Sequence, residues 1–314
     1  MNKLVTCIII LTCISCGHKK EKKSLILELN TPLDSLNYVI SEAPENSTAL
    51  LERARLHYLS GDLELAMNDL NQKMAINTTD EDYYLKGNIL YSNLQIENNA
   101  ENANNAYRLC VNENPNNANC YVKLAQIQQL LDNYDECIEL VDSALQINRQ
   151  LPDAYFLKGL TFELRRSKGD TTLAISSYQT SIELDPNFYD SYIRLGNLHA
   201  AKEDSLAIQY YKSAIELQSE RIEAHYNLAI YLQNSERFDA AMERYDRILE
   251  IDPNSYLALF NQGYLLLVYA DQYQEAEKKF TKSIELNPSY TEAHHNRGLC
   301  YKNLGQFNYA REHN

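Results

Sequence analysis

Apolar residues recur along most of this chain every three or four positions, in pairs of stretches that short polar segments separate. Residues 222–255 show the pattern clearly. Apolar positions start at Ile222, pause near Glu236 and resume at Phe238. Helical spacing on both sides of a polar break predicts two helices joined by a tight turn. Pro253 then closes the pair, because proline cannot continue a helix.

Prolines and glycines repeat with one common period of about 35 residues. Five of the seven prolines fit this period: Pro44, Pro115, Pro186, Pro253 and Pro288. Five glycines keep the same interval, each inside an apolar helical pattern: Gly87, Gly159, Gly196, Gly263 and Gly298. A period of this length indicates helical hairpins that stack and bury their apolar faces against their neighbours.

The repeating unit resembles the tetratricopeptide repeat, a helical hairpin of 34 residues. In the unit 222–255 the resemblance rests on His225, Leu228, Ala229, Leu232, Ala241, Tyr245 and Pro253, at unit positions 4, 7, 8, 11, 20, 24 and 32. We place eight units, the last incomplete, at residues 47–79, 80–117, 118–151, 152–188, 189–221, 222–255, 256–290 and 291–314. The resemblance implies an all-α fold, a right-handed α-solenoid whose first helices line a concave groove. Residues 32–46 are expected to form a capping helix that begins at Pro32.

The N-terminus has the composition of a secretory signal peptide over residues 1–15, with a basic start and a short apolar core. The sequence Ile14-Ser15-Cys16-Gly17 resembles a bacterial lipobox. This resemblance implies that Cys16 becomes the lipidated N-terminus and that residues 16–31 form a tether. Cleavage without lipidation is the alternative. In enteric lipoproteins, which the lipobox resembles, an aspartate after the lipidated cysteine retains the protein in the inner membrane. Gly17 stands at that place here, which favours the outer membrane, on either face.

Charge and motifs restrict the chemistry further. The formal net charge is −14, which argues against a nucleic-acid partner. The body is more acidic than the whole chain because five lysines lie in the first 23 residues. Membrane association is therefore expected only through the N-terminal lipid. The chain contains no phosphate-binding glycine loop, nucleophile elbow or zinc-protease motif. We expect neither catalysis nor a metal or cofactor.

Four cysteines follow Cys16: Cys110, Cys120, Cys137 and Cys300. Cys110 and Cys137 occupy unit positions that require small residues, so small buried side chains are the favoured interpretation. A disulfide between Cys110 and Cys120 is the alternative, because one residue ends a unit and the other begins the next.

The concave face supplies the predicted binding site. The resemblance implies that unit positions 2, 5, 6, 9, 12 and 13 face the groove. In the later units some of these positions carry large apolar residues: Phe156, Ile193, Tyr226, Ile230, Phe260 and Tyr264. Position 6 adds a polar column: Arg194, Asn227, Asn261 and Asn296. An amide both donates and accepts hydrogen bonds, so this column resembles the asparagine ladder of peptide-binding relatives. A purely structural role for the asparagines is the alternative.

These features predict a non-catalytic scaffold in the bacterial cell envelope that binds a peptide segment or helix of another envelope protein. A second hypothesis is a self-assembling homo-oligomer, in which the incomplete unit 291–314 stacks on another copy. A third is an enzyme, or a regulator of one, that uses scattered carboxylates.

Overall fold

The computed structural model describes residues 31–311, and the only regular secondary structure in this range is helical. The all-α prediction is therefore confirmed. The chain divides between Arg149 and Gln150 into two compact units, here called the N-terminal and C-terminal units. The predicted signal peptide, Cys16 and nearly all of the predicted tether lie outside the described residues. No helix among the described residues is both long and apolar enough to cross a bilayer.

The N-terminal unit contains seven helices within its described residues. They are α1 (Pro32–Glu42), α2 (Ser47–Ser60), α3 (Leu63–Ile76), α4 (Asp80–Tyr91), α5 (Asn99–Glu113), α6 (Ala118–Leu130) and α7 (Tyr134–Ile147). After α1, consecutive helices pair as hairpins, so each of the first three predicted repeats contains two helices.

The C-terminal unit contains ten helices up to Arg311. They are α8 (Pro152–Arg165), α9 (Asp170–Leu184), α10 (Tyr189–Ala200), α11 (Leu206–Leu217), α12 (Ile222–Asn234), α13 (Phe238–Ile251), α14 (Tyr256–Val268), α15 (Tyr273–Leu286), α16 (Thr291–Asn303) and α17 (Phe307–Arg311). The same pairing continues here, from α8 with α9 to α16 with α17.

The apolar residues that define the repeat form the cores of the hairpins. In the unit 222–255, Leu228, Ala241 and Tyr245 are buried in one cluster with residues of α10, α11 and α14. Burial of these faces supplies most of the stability, because short helices are marginal alone in water.

Helix α1 packs against α2 and covers part of its apolar surface. Thr31 forms a capping box with Asp34, since each side chain binds the other residue's backbone N–H. Ile40 of α1 packs with Ala49 and Leu50 of α2. The helix begins at Pro32, which tolerates the first turn because its missing N–H has no intrahelical partner there.

Turns between paired helices require a left-handed backbone. Gly61 has φ of +86°, a conformation that only glycine adopts without steric cost. Six other residues in turns share a positive φ although none is glycine: Asn98, Asp132, Arg166, Glu203, Glu236 and Asp271.

Cys110 and Cys120 form a disulfide between α5 and α6. The favoured interpretation of Cys110 as an unpaired small side chain was therefore wrong. The loop after α5 is short, and it brings the two Cα atoms within 6.1 Å, which suits a disulfide. Cys137 and Cys300 are buried thiols, as expected for small core residues.

Candidate functional site

A pocket of about 680 Å³ lies in the C-terminal unit between the first helices α10 and α12. Residues of α10, α11 and α12 line it, among them Asn197, Tyr211, Tyr226, Asn227, Ile230 and Tyr231. Most of its lining residues occupy unit positions that the repeat resemblance assigns to the concave face, so the pocket is the candidate binding site.

Two asparagine amides form the polar part of this pocket. The hydroxyl of Tyr211 donates to Asn197 Oδ1 at 2.8 Å, and Asn227 Nδ2 donates to the same oxygen at 3.2 Å. Asn197 Oδ1 is thereby satisfied, and the orientation of both amides is fixed. Within residues 31–311, Asn197 Nδ2 and Asn227 Oδ1 have no further hydrogen-bond partner. The pocket therefore offers one donor and one acceptor side by side.

The tyrosine beneath these amides is held in its protonated form. Burial raises the pKa of Tyr211 above its usual value. Its hydroxyl therefore remains a donor throughout the physiological pH range. The hydrogen bond from this hydroxyl orients Asn197 before a ligand binds, which lowers the entropic cost of binding.

Aromatic and aliphatic side chains form the walls of the pocket. Tyr226, Ile230 and Tyr231 are half-buried and present both ring faces and methyl groups. Asn261 Nδ2 donates to the Tyr226 hydroxyl at 3.3 Å and so positions that ring. Glu203 is the charged residue that lines the pocket.

Three of the ten predicted groove residues line the pocket: Tyr226, Asn227 and Ile230. Two others are core residues, which corrects their predicted placement. Ile193 is 3% exposed and packs in the core of the C-terminal unit. Asn261 is 7% exposed, and its amide contacts a ring of the pocket wall from behind. The first helix of the neighbouring repeat can cover a side chain at an inner-face position. The position in the repeat does not show whether this happens.

Three predicted aromatic residues are half-buried and contribute to helix packing. The ring of Phe156 lies 5.6 Å from that of Tyr178, in the partner helix of the same hairpin. Phe260 makes the equivalent contact with Phe280 at 5.6 Å. Tyr264 packs in the core cluster of the same hairpin. Their rings therefore join the two helices of their hairpins.

The polar column at position 6 is not continuous. Asn296 Nδ2 donates to the backbone carbonyl of Glu292 at 2.8 Å, one turn earlier in its own helix. Arg194 lies one turn before Asn197 on α10 and is half-buried. No carboxylate among residues 31–311 lies within ion-pair distance of Arg194. Arg194 does not line the pocket, and its charge acts on Tyr178 of the preceding hairpin.

The sequence interpretation missed Asn197 and Tyr211. A signal for them exists, because the N-terminal unit contains the same pair. Tyr107 of α5 donates to Asn88 Oδ1 at 2.8 Å, and Asn88 occupies the same unit position as Asn197. An asparagine at position 9 followed by a tyrosine in the second helix therefore marks this hydrogen bond.

No group of three or more His, Cys, Asp or Glu side chains among residues 31–311 is arranged to hold a metal ion. The pocket contains Glu203 and neutral side chains, so its chemistry is that of hydrogen bonding and apolar contact.

Three family models described as tetratricopeptide repeat match the chain. They match residues 118–151, 152–188, 205–260, 245–278 and 279–312. These segments together cover more than half of the sequence, so the chain belongs to the tetratricopeptide-repeat family. Two of the matched segments, 118–151 and 152–188, coincide with repeats placed from the sequence.

Two solved structures support the same fold. YrrB, described as a TPR protein with an unusual peptide-binding site, is 22% identical with a TM-score of 0.51. The alignment covers 60% of this chain and 95% of YrrB. The C-terminal part of a TPR repeat-containing protein from Cytophaga hutchinsonii is 20% identical with a TM-score of 0.53, over 72% of this chain and 92% of that one.

Curated relatives share repeats over a small part of their length. Superkiller protein 3 of Schizosaccharomyces pombe is 22% identical over 60% of this chain and 14% of its own. Protein O-mannosyl-transferase TMTC3 of Homo sapiens is 28% identical over 60% of this chain and 21% of its own. The UDP-N-acetylglucosamine–peptide N-acetylglucosaminyltransferase of Giardia intestinalis is 29% identical over 35% and 7%. Two of these relatives are named as transferases, but the similarity leaves most of each protein unmatched.

Proposed function

We propose that the protein is a non-catalytic scaffold that binds an extended peptide segment of a partner protein between α10 and α12. The amide pair of Asn197 and Asn227 carries this proposal. Each peptide group has one N–H donor and one C=O acceptor, which complement Asn227 Oδ1 and Asn197 Nδ2 respectively. Because these hydrogen bonds involve the peptide backbone, they do not require a particular side chain in the bound segment.

The walls of the pocket supply the preference for particular side chains. Tyr226, Ile230 and Tyr231 offer half-buried apolar surface, which favours an apolar side chain next to the bound amide. Glu203, the charged residue of the lining, favours a basic residue near the apolar one. The best ligand is therefore an extended segment with an apolar residue at its centre and a basic residue close to it.

We propose further that the protein acts in the bacterial cell envelope, attached by lipid at Cys16, with another envelope protein as its partner. The lipobox-like sequence motivates this placement, and the outer membrane is the favoured location. The disulfide between Cys110 and Cys120 supports it independently, because disulfides persist in oxidising compartments and are rare in the cytosol.

In-cell photo-cross-linking tests the pocket directly. A photoreactive residue replaces Ala201, which is exposed and lines the pocket. Cross-linked partner peptides are identified by mass spectrometry, and their affinities are measured with synthetic copies. Asn197→Ala combined with Asn227→Ala should weaken binding roughly tenfold, since each net hydrogen bond contributes about 0.5–1.5 kcal/mol.

Asn88→Ala is the matched control. It removes the same tyrosine–asparagine hydrogen bond from the N-terminal unit and leaves the pocket unchanged. It should keep both the cross-link and the affinity. Equal binding by the native chain and the pocket variant would refute peptide recognition by this amide pair.

Self-assembly is a second candidate, which exposed aromatic residues on α17 favour. Phe307 and Tyr309 are both more than half exposed. Light scattering at tens of micromolar should show oligomers that Phe307→Ser with Tyr309→Ser abolishes. A strictly monomeric native protein would exclude this candidate and leave the peptide proposal untouched.

A further inference from the structure

Large apolar side chains project from successive hairpin turns of the N-terminal unit. Leu59 is 79% exposed at the end of α2, and Ile96 is 54% exposed in the turn before α5. Leu130 and Leu131 are each 57% exposed at the end of α6. With Leu94, which is exposed as well, these five residues are called the turn edge below.

Contacts beneath the turn edge bring its three turns side by side. The Tyr58 hydroxyl lies 3.4 Å from Ser92 Oγ, which joins the ends of α2 and α4. Leu90 and Tyr91 at the end of α4 pack in one hydrophobic cluster with Ile127 of α6. The exposed leucines and isoleucine follow directly after these contacting residues. They therefore form one row along a single side of the unit.

The corresponding turns of the C-terminal unit have a different surface. Leu164 and Val268 are exposed near two of them. Between them, the α10–α11 turn carries Lys202 and Glu203 next to the exposed Leu206, and the α12–α13 turn carries the exposed Glu236 and Arg237. Each hairpin turn of the N-terminal unit thus presents a large exposed apolar side chain, whereas the α12–α13 turn of the C-terminal unit presents none.

The shape of the turn edge favours a lipid surface over a peptide as its occupant, and its charge restricts that surface to neutral lipids. Its side chains lie at the tips of separate turns and not in a groove. A broad surface can contact all of them at once, whereas an extended peptide binds best in a groove. Contiguous exposed apolar residues of this kind usually mark an interaction site. Asp62, Glu97 and Asp132 lie in the same turns and would repel anionic headgroups.

The distance to the proposed anchor is compatible with such a contact. Fourteen residues, 17–30, join Cys16 to Thr31, the cap of α1. Fully extended they span at most roughly 50 Å, which keeps the N-terminal unit close to any bilayer that holds Cys16.

We propose that the turn edge is a membrane-contact surface that rests on neutral lipids of the bilayer to which Cys16 is attached. The inference builds on the proposed lipid anchor. Leu59, Leu130 and Leu131 enter the boundary between headgroups and acyl chains, while the neighbouring carboxylates stay in water. The lipid at Cys16 and the turn edge together fix the orientation of the N-terminal unit relative to the membrane.

The test uses the full-length chain produced with its own signal peptide and carrying a specific protease site between Lys23 and Ser24. Cleavage releases the body from the lipid, and its binding to phosphatidylcholine vesicles is measured by co-sedimentation. Leu59→Gln with Leu130→Gln and Leu131→Gln should lower the partition coefficient at least tenfold. Replacing part of the phosphatidylcholine by phosphatidylglycerol should also lower it.

The control places the same number of substitutions on exposed apolar residues of the C-terminal unit: Leu164→Gln, Leu206→Gln and Val268→Gln. It should change the partition coefficient less than twofold, with helicity checked for both variants by circular dichroism. Equal partitioning of the two variants would overturn the proposal. So would a body that forms oligomers which the turn-edge variant dissolves, because the edge would then join copies of this chain.

A separate measurement keeps this result distinct from the proposed anchor. The mass of the N-terminal peptide before cleavage reports whether Cys16 carries acyl chains. An unmodified Cys16 refutes the anchor, and with it the proposed placement of the edge. An acylated Cys16 with no binding of the released body refutes the turn edge alone.

Discussion

Gly196 faces the ring of Tyr211 so closely that a Cβ atom on Gly196 would lie 2.5 Å from Tyr211 Cε1. Glycine at this position lets α11 approach α10, and the same approach brings the tyrosine hydroxyl to Asn197. The glycine at this position of the repeat 189–221 and the geometry of the pocket therefore have one common cause.

Gly196→Ala should destabilise the protein by about 1–3 kcal/mol, because the buried ring must move to admit the methyl group. Urea unfolding monitored by circular dichroism measures the change. Tyr211→Leu removes the ring that clashes, so the double substitution should cost less than the sum of the two single ones. Additive costs would mean that the two residues do not interact.

Lys73 and Asp82 form an ion pair that is almost fully buried between α3 and α4. Lys73→Met should cost about 3–5 kcal/mol, because it leaves a buried carboxylate without its cation. Lys278→Met, which breaks the exposed pair with Glu275, is the control and should have no measurable effect. Equal unfolding midpoints for the two variants would show that water reaches Asp82.

The disulfide between Cys110 and Cys120 should stabilise the N-terminal unit. Closing a loop of this length restricts the unfolded chain and contributes about 2–4 kcal/mol. Cys110→Ala with Cys120→Ala should lower the urea midpoint by the corresponding amount, and reductant should then have no further effect. Cys137→Ala serves as a control, which should retain the effect of the reductant. A native protein indifferent to reductant would contradict the prediction.

His225 should make stability depend on pH. Burial lowers the pKa of its imidazole below 6.5, and Arg244 and Arg247 contribute in the same direction. The unfolded chain therefore binds more protons than the folded one as the pH falls through this range. The contribution of His225 to stability is complete above pH 6.5 and is lost as the pH falls through the folded pKa.

Urea midpoints measured between pH 7.5 and 5 test this dependence. The native protein should lose stability toward pH 5, and His225→Gln should lose less. Carboxylates such as Asp170, whose pKa Arg165 lowers, respond in a more acidic range and should not obscure the comparison. The same slope in both proteins would assign the pH dependence to another group.

The helices were predictable because their signals are local. The apolar spacing between Ile222 and Leu232, and the proline that ends four of the repeats, act within one or two helical turns. Tyr226, Asn227 and Ile230 were placed at the pocket for the same reason, since repeat position fixes which side of a helix they occupy. The resemblance extended this argument from one unit to most of the chain.

The remaining parts of the site depend on contacts between helices. Ile193 and Asn261 share the inner-face positions of the pocket residues, yet a neighbouring helix covers them. Asn197 owes its orientation to Tyr211, fourteen residues later and on another helix. The packing of adjacent hairpins decides both outcomes, and it depends on all the residues at their interface.

The left-handed turns have a consequence for how this array diverges. Asp132, Glu203 and Glu236 hold positive φ values, so the left-handed position of these turns accepts acidic residues as well as glycine. The side chains of one turn can therefore be replaced independently of the other turns, while the two helices of the hairpin keep the same structure. A duplicated repeat can thus acquire a new surface through a few substitutions at its tip, at no cost to its core.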